Sequence, residues 1–189
     1  MAGERFNPSK ADRLISEKRY NVLDPQRVVN FFEVEKGDKV ADLGAGNGFF
    51  TLPIARKTET VVYGVDIEPE MLALLDKRAK VENINNIEYI TSDLEDIQLE
   101  DDSADKALIS FVLHEVPDLP QALSELKRIV KHDGKVLILE WEAVESEMGP
   151  PLHERISSED MKKILTDHGI ESEVHHFNEA IYGLKGTFI

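Results

Sequence analysis

Three aspartates follow or close short apolar runs, and a glycine-rich turn accompanies the first. Asp42-Leu43-Gly44-Ala45-Gly46-Asn47-Gly48 comes directly after Val40-Ala41, Asp66 closes Val61-Val62-Tyr63-Gly64-Val65, and Asp93 lies just beyond Glu88-Tyr89-Ile90. A strand that runs into such a turn marks a nucleotide-type cofactor site, because glycine tolerates positive φ and lets the backbone approach a ligand. The spacing here is G-x-G-x-G, and Phe49 stands where the dinucleotide pattern requires its third glycine. A pyrophosphate wants bare N–H groups and the positive end of a helix, whereas Asp42 adds negative charge at this strand end. That suits a cation. An acid at Asp66 can accept from the two adjacent hydroxyls of a ribose, a device that NAD-binding folds share.

The stretch from Val40 to Thr51 resembles the first motif of class I S-adenosylmethionine-dependent methyltransferases, whose ligand carries an ammonium and a sulfonium. Asp93 stands where that family has an acid that accepts from the adenine amino group, and Ile67 and Leu94 flank the acids as walls for the purine. The run from Asp105 to Val116 resembles the fourth motif, which holds the methionine portion by backbone near Ser110 and Phe111 and turns at His114. The resemblance covers the chain roughly from Pro25 onward. It implies S-adenosylmethionine as cofactor, bound by Asp42, Gly44, Ala45, Gly46, Asp66, Ile67, Met71, Asp93, Leu94 and Ser110. The segment from Glu142 to Ile156 resembles the loop of small ubiquinone/menaquinone-biosynthesis-like methyltransferases that lies over the acceptor.

Methyl transfer from an activated donor depends mostly on alignment, and a nucleophile of high pKa also needs a proton acceptor. His114 is the best-placed candidate, against a local packing role. Glu115 and Glu140 are weaker ones. Arg155 is a candidate for an anionic group of the substrate, or equally a salt bridge that fastens the Pro150-Pro151 loop. Arg13 and Arg19 are candidates for a cofactor carboxylate, with surface solvation the simpler account. His175-His176 alternates across a strand, so the pair is read as structural and no metal is assigned.

These residues require alternating strands and helices, the signature of a doubly wound α/β sheet. Asp24-Pro25 caps a helix through Phe32, and Pro69 opens one whose Met71, Leu72, Leu75 and Ala79 share a face. Asp118 caps another carrying Leu123, Leu126 and Ile129, with Gly134 as its stop and Lys135 to Trp141 as the fifth strand. Ser157 starts a helix that ends at Gly169, and Glu171 to Phe177 and Ala180 to Ile189 form two final strands. The resemblance then implies a three-layer Rossmann-like fold with a seven-stranded, mostly parallel sheet. Its seventh strand is antiparallel, between the fifth and sixth.

At 189 residues the expectation is a single domain, with residues 1–33 as a helical cap and 34–189 as the core. A formal net charge of −15 repels a nucleic-acid backbone, and no apolar run approaches a membrane span. With no cysteine there is neither a disulfide nor a thiolate nucleophile. The acidic run from Glu95 to Asp102 reads as a solvated loop. The first residues lack a secretory pattern, so a cytoplasmic location is expected. The reading is a methyltransferase acting on a small-molecule acceptor. An NAD-dependent oxidoreductase and a non-catalytic cofactor-binding or interaction protein are the alternatives.

Overall fold

Residues 14–189 are described by the computed structural model, and they divide into two compact units that meet in sequence between Asp93 and Leu94. Arg13 and the start of the expected cap lie outside the described residues.

The first unit contains α1 (Glu17–Val22), α2 (Pro25–Phe31), β1 (Val40–Leu43), α3 (Thr51–Thr58), β2 (Val62–Asp66), α4 (Pro69–Val81) and β3 (Ile87–Thr91). At the head of α2 the Asp24 side chain accepts from the Gln26 amide at 2.9 Å, with Pro25 in the first helical position, where a missing N–H costs nothing. β1 and β2 pair in parallel from Val40↔Val62 to Leu43↔Val65, and β2 and β3 from Val62↔Ile87 to Asp66↔Thr91. All four β1 residues are buried, as a strand covered on both faces must be. α4 buries Met71, Leu72, Leu75 and Ala79, the helical face expected from their spacing. Leu72, Leu75 and Ala79 pack with Ala45 and Leu52 in one apolar cluster, so the same helix that forms the core also fixes the glycine turn.

The second unit contains β4 (Ala104–Ser110), α5 (Leu119–Ile129), β5 (Val130–Trp141), α6 (Ser158–Asp167), β6 (Ile170–Asn178) and β7 (Ile181–Phe188). Parallel β4 and β5 run side by side from Lys106↔Lys135 to Ser110↔Leu139. β7 is antiparallel to both neighbours, pairing Lys135↔Thr187 through Trp141↔Ile181 with β5 and Ile170↔Phe188 through Asn178↔Ile181 with β6. The strand order is β3-β2-β1-β4-β5-β7-β6, the seven-stranded mixed sheet expected of a Rossmann-like methyltransferase fold. Among the described residues no helix is long and apolar enough to cross a membrane. The acidic run is tied down by Arg128 of α5, which donates to the Ile97 and Leu99 carbonyls at 2.7 Å each and to Asp101 at 2.9 Å.

One boundary differs from the sequence reading. α5 ends at Ile129 with Val130 already extended, and Gly134 lies inside β5 rather than stopping the helix. The register steps from Ala104↔Val130 to Lys106↔Lys135, so Asp105 faces the extra residues 131–134 in a bulge. Glycine is required there by closeness. A Cβ on Gly134 would lie 2.7 Å from the Asp105 carbonyl oxygen and 2.9 Å from that of Lys131. We expect Gly134→Ala to destabilise the protein by about 1–3 kcal/mol, the usual cost of an overpacked site. An unchanged urea midpoint would contradict this account of the bulge.

Candidate functional site

In the first unit the three parallel strands bring Leu43, Asp66 and Thr91 to their C-terminal ends, the edge where α/β sheets bind ligands. The turn that follows β1 has positive φ at Gly44, Gly46 and Gly48 (80°, 53° and 91°). Its amides are used within the unit. Gly44 and Ala45 both donate to the Val65 carbonyl at 2.8 Å, Gly46 to Asp66 Oδ2 at 2.7 Å, and Gly48 to the Ala45 carbonyl at 3.0 Å. The Asn47 carbonyl is held by Arg78 Nη1 at 2.6 Å. A loop built to cradle a pyrophosphate keeps such N–H groups for the phosphate oxygens, and this one does not.

Asp42 is buried at 1% exposure, with the Thr51 hydroxyl donating to its Oδ2 at 2.5 Å. Its Oδ1 is buried with no hydrogen-bond partner. Burial pushes the Asp42 carboxyl up to about 7, opposed by the Thr51 hydrogen bond and assisted by the charge of Asp66. Asp66 is half-buried and accepts the Glu68 amide on Oδ1 at 2.9 Å as well as that of Gly46 on Oδ2, so each oxygen keeps a further lone pair. Burial raises its pKa and the two amides restrain the rise. Met71 is buried, and its Cε would lie 3.5 Å from a Cβ built on Gly46. Ile67 and Asp93 are half-buried nearby in sequence to the strand ends.

Phe49 is buried between Tyr20 and Phe50, with ring centroids 4.9 Å from each, and the Arg19 guanidinium lies 4.9 Å over its ring. This corrects the reading of Arg19 as a solvated surface residue: the cation–π contact and half-buried position draw it inward, and burial lowers its pKa to about 10. The close approach that a dinucleotide fold makes through its third glycine is made here by Gly48, where a Cβ would collide with Leu75 of α4.

In the second unit Leu94 is buried and Ser110, half-buried, closes β4. Phe111 follows with φ 58°, an uncommon conformation for a bulky residue. Its amide donates to the Leu139 carbonyl at 2.8 Å and its ring lies 5.2 Å from that of Trp141. The chain then forms a 3-10 turn, Leu113–Glu115, which carries His114. His114 Nδ1 lies 3.0 and 2.9 Å from the two oxygens of Glu140, near the end of β5. Both residues are buried, at 7% and 2% exposure. Glu140 also accepts the Trp141 amide at 3.2 Å and the His114 amide at 3.4 Å. Burial alone would lower the pKa of His114. The hydrogen bond and charge of Glu140, with Glu115 and Glu154 adding to them, outweigh it and raise the pKa above the ordinary histidine value. This pairing stabilises the fold below that ordinary value and is lost as pH climbs through the raised one. The partnership of His114 with Glu140 was missed in the sequence, although a lone acid in the apolar run Val136 to Trp141 was its signal.

Arg155 fastens its own loop. Its guanidinium donates to the carbonyls of Val144, Met148 and Pro150 at 2.6, 3.0 and 2.9 Å and to Ser146 Oγ at 2.8 Å. It also lies 5.7 Å over the Trp141 ring. Of the two readings of Arg155, the contacts display the fastening of its loop, with backbone oxygens in the place of a salt-bridge carboxylate. His176 Nε2 lies 3.2 Å from Glu142 Oε2 and His175 stacks edge-on against Phe177, consistent with their alternation. Among the described residues no group of three His, Cys, Asp or Glu converges as a metal site.

Residues 41–138, just over half of the chain, match the model of a family described as "Methyltransferase domain". The demethylmenaquinone methyltransferase of Staphylococcus carnosus is 29% identical over 136 residues, covering 71% of this chain and 55% of that protein. A ubiquinone/menaquinone biosynthesis C-methyltransferase of Citrifermentans bemidjiense is 38% identical over 108 residues, covering 54% of this chain and 45% of its own. The chain thus spans about half the length of the curated relatives it matches. The crystal structure of a SAM dependent methyltransferase from Aquifex aeolicus superposes with a TM-score of 0.92 at 28% identity, covering 98% of this chain and 100% of that one.

The buried Asp42 carboxyl sets a testable cost. Its folded-state pKa of about 7 lies above the ordinary 3.8, so its stability contribution falls as pH rises from the lower value toward the higher. We expect Asp42→Asn to raise the melting temperature of the ligand-free protein at pH 8, by at most about 4 kcal/mol of stability, with the gain shrinking toward pH 4. Equal melting temperatures for the two proteins across that range would contradict this assignment.

Proposed function

The chain belongs to the methyltransferase-domain family, and from that membership we propose that it moves the methyl group of S-adenosylmethionine to a small-molecule acceptor of the quinol class. The observation that carries the cofactor assignment is the buried, unpartnered Oδ1 of Asp42 beside a glycine turn whose amides are already donated. Such a corner is a poor phosphate site and a good one for an ammonium. The cofactor's positive charge would also favour the ionised form of Asp42, removing part of the cost of burying it. S-adenosylmethionine supplies, when bound, a methyl group already activated by the adjacent sulfonium.

The residues of this chain then have limited tasks. Asp42 receives the ammonium, and Asp66 offers its remaining lone pairs to the ribose hydroxyls while its amide contacts hold it in place. Asp93 accepts from the adenine amino group, and Ile67 provides apolar surface beside the ring. Met71, buried on α4, lies next to the Gly46 turn and offers apolar surface to the cofactor. With the donor activated, positioning and exclusion of water supply most of what is needed.

The acceptor class draws support from the relatives, which are named for methylation of demethylmenaquinone and for ubiquinone/menaquinone biosynthesis. Incubation with tritium-methyl S-adenosylmethionine and either naphthohydroquinone or the matched naphthylamine tests it. The expected result is label in the hydroquinone product and none in the amine. Label in the amine alone would overturn the quinol assignment, and label in neither would overturn it for unprenylated rings.

A further inference from the structure

β5 is apolar from Val136 to Leu139 and again at Trp141, yet it buries Glu140 between them. A carboxylate at 2% exposure is costly, and a fold that needed only packing would be served by an aliphatic residue there. Glu140 is instead the meeting point of three donors: the amides of Trp141 and His114 and the imidazole Nδ1. A carboxylate that collects N–H groups acts as an acceptor, so Nδ1 carries its proton toward Glu140. That fixes the other nitrogen. Nε2 lies 3.6 Å from Glu115 Oε1, beyond hydrogen-bonding distance but within the field of that charge. Phe111, three residues before His114, holds a positive φ at the end of β4, the kind of strain that persists where the surrounding structure demands it.

Resting on the methyltransferase reading above, we propose that Glu140 is a positioning residue that holds His114 as the Nδ1–H tautomer, so that Nε2 takes the proton of an acidic hydroxyl on the acceptor. The step is a simple proton transfer. The O–H bond breaks, its electron pair stays on the acceptor oxygen as a phenolate or enolate, and the proton forms an N–H bond at Nε2. The resulting imidazolium is stabilised by Glu140 through Nδ1–H and by the nearby charges of Glu115 in its own turn and Glu154 in the Leu152–Glu154 turn. The match is to a substrate whose nucleophile is an ionisable oxygen or a carbon activated by one. An imidazole so surrounded by carboxylates holds its own proton firmly, and turnover therefore rises with pH through a value above that of free histidine.

Nitrogen-15 NMR of the His114 imidazole in the full chain tests the geometry without requiring turnover. Above its pKa the wild-type ring should be the Nδ1–H tautomer, and Glu140→Gln should lower the pKa by about one unit, tenfold in proton affinity. The rising limb of kcat/KM for naphthohydroquinone should move to lower pH by the same amount, while Glu140→Asp, which keeps a carboxylate, should retain most of the wild-type profile. An Nε2–H tautomer in the wild type would overturn the proposal, even if the Gln variant failed to fold. So would a rising limb that stays in place while the NMR pKa falls. Calorimetry with S-adenosylhomocysteine on the same samples keeps the two readings apart: absence of binding by the wild type defeats the methyltransferase reading itself, whereas binding alongside the wrong tautomer defeats only the role of Glu140.

Discussion

Asp66 takes the Gly46 amide on one oxygen and the Glu68 amide on the other, at 2.7 and 2.9 Å. This contact joins the end of β2 to the turn that follows β1, and much of the first unit's chemistry depends on it. With Gly44 and Ala45 both donating to the Val65 carbonyl, the turn is tied to its neighbour strand by its own N–H groups. A ligand arriving at this corner meets acids and carbonyls. Under the proposed function such a corner favours positive charge and hydroxyls over phosphate, a preference set by backbone hydrogen bonding before any side-chain specificity enters. The packing agrees with that arrangement, since Leu75 of α4 occupies the space that a side chain at position 48 would need.

The second unit follows a different rule, in which one buried charge organises its neighbours. Glu140 gathers two amides and an imidazole; burial, with a further push from the charges of Glu140, Glu142 and Asp160, raises the pKa of Tyr182, whose hydroxyl donates to the Ile156 carbonyl at 2.9 Å. Arg155 plays a corresponding part for the loop after β5, closing it around a single guanidinium through carbonyl contacts. Both devices are expensive in desolvation and specific in geometry.

Much of the fold was legible because local signals agreed with one another. The α4 face of Met71, Leu72, Leu75 and Ala79, the Asp24 and Ser157 caps and the final hairpin were all read from spacing and turn chemistry, and the antiparallel seventh strand from family resemblance. Gly134 was misread because a glycine after an amphipathic run is ordinarily a helix stop, whereas here it relieves a bulge opposite Asp105, a contact distant in sequence. The same limit applies to side chains. Nothing local to Arg155 distinguishes a carbonyl clasp from an anion site, and nothing local to His114 names Glu140, which lies 26 residues further on in β5. Arg19 looked solvated because its partner, the Phe49 ring, belongs to a different element. Partnerships across elements are thus visible only in the folded chain.

On this reading the glycine turn and its acids take an ammonium-bearing nucleoside and refuse a dinucleotide. Parallel calorimetric titration of the purified chain with S-adenosylhomocysteine and NAD tests it most directly. Saturable heat with the first and none with the second is the expected result. Saturable binding of NAD with silence from S-adenosylhomocysteine would contradict it.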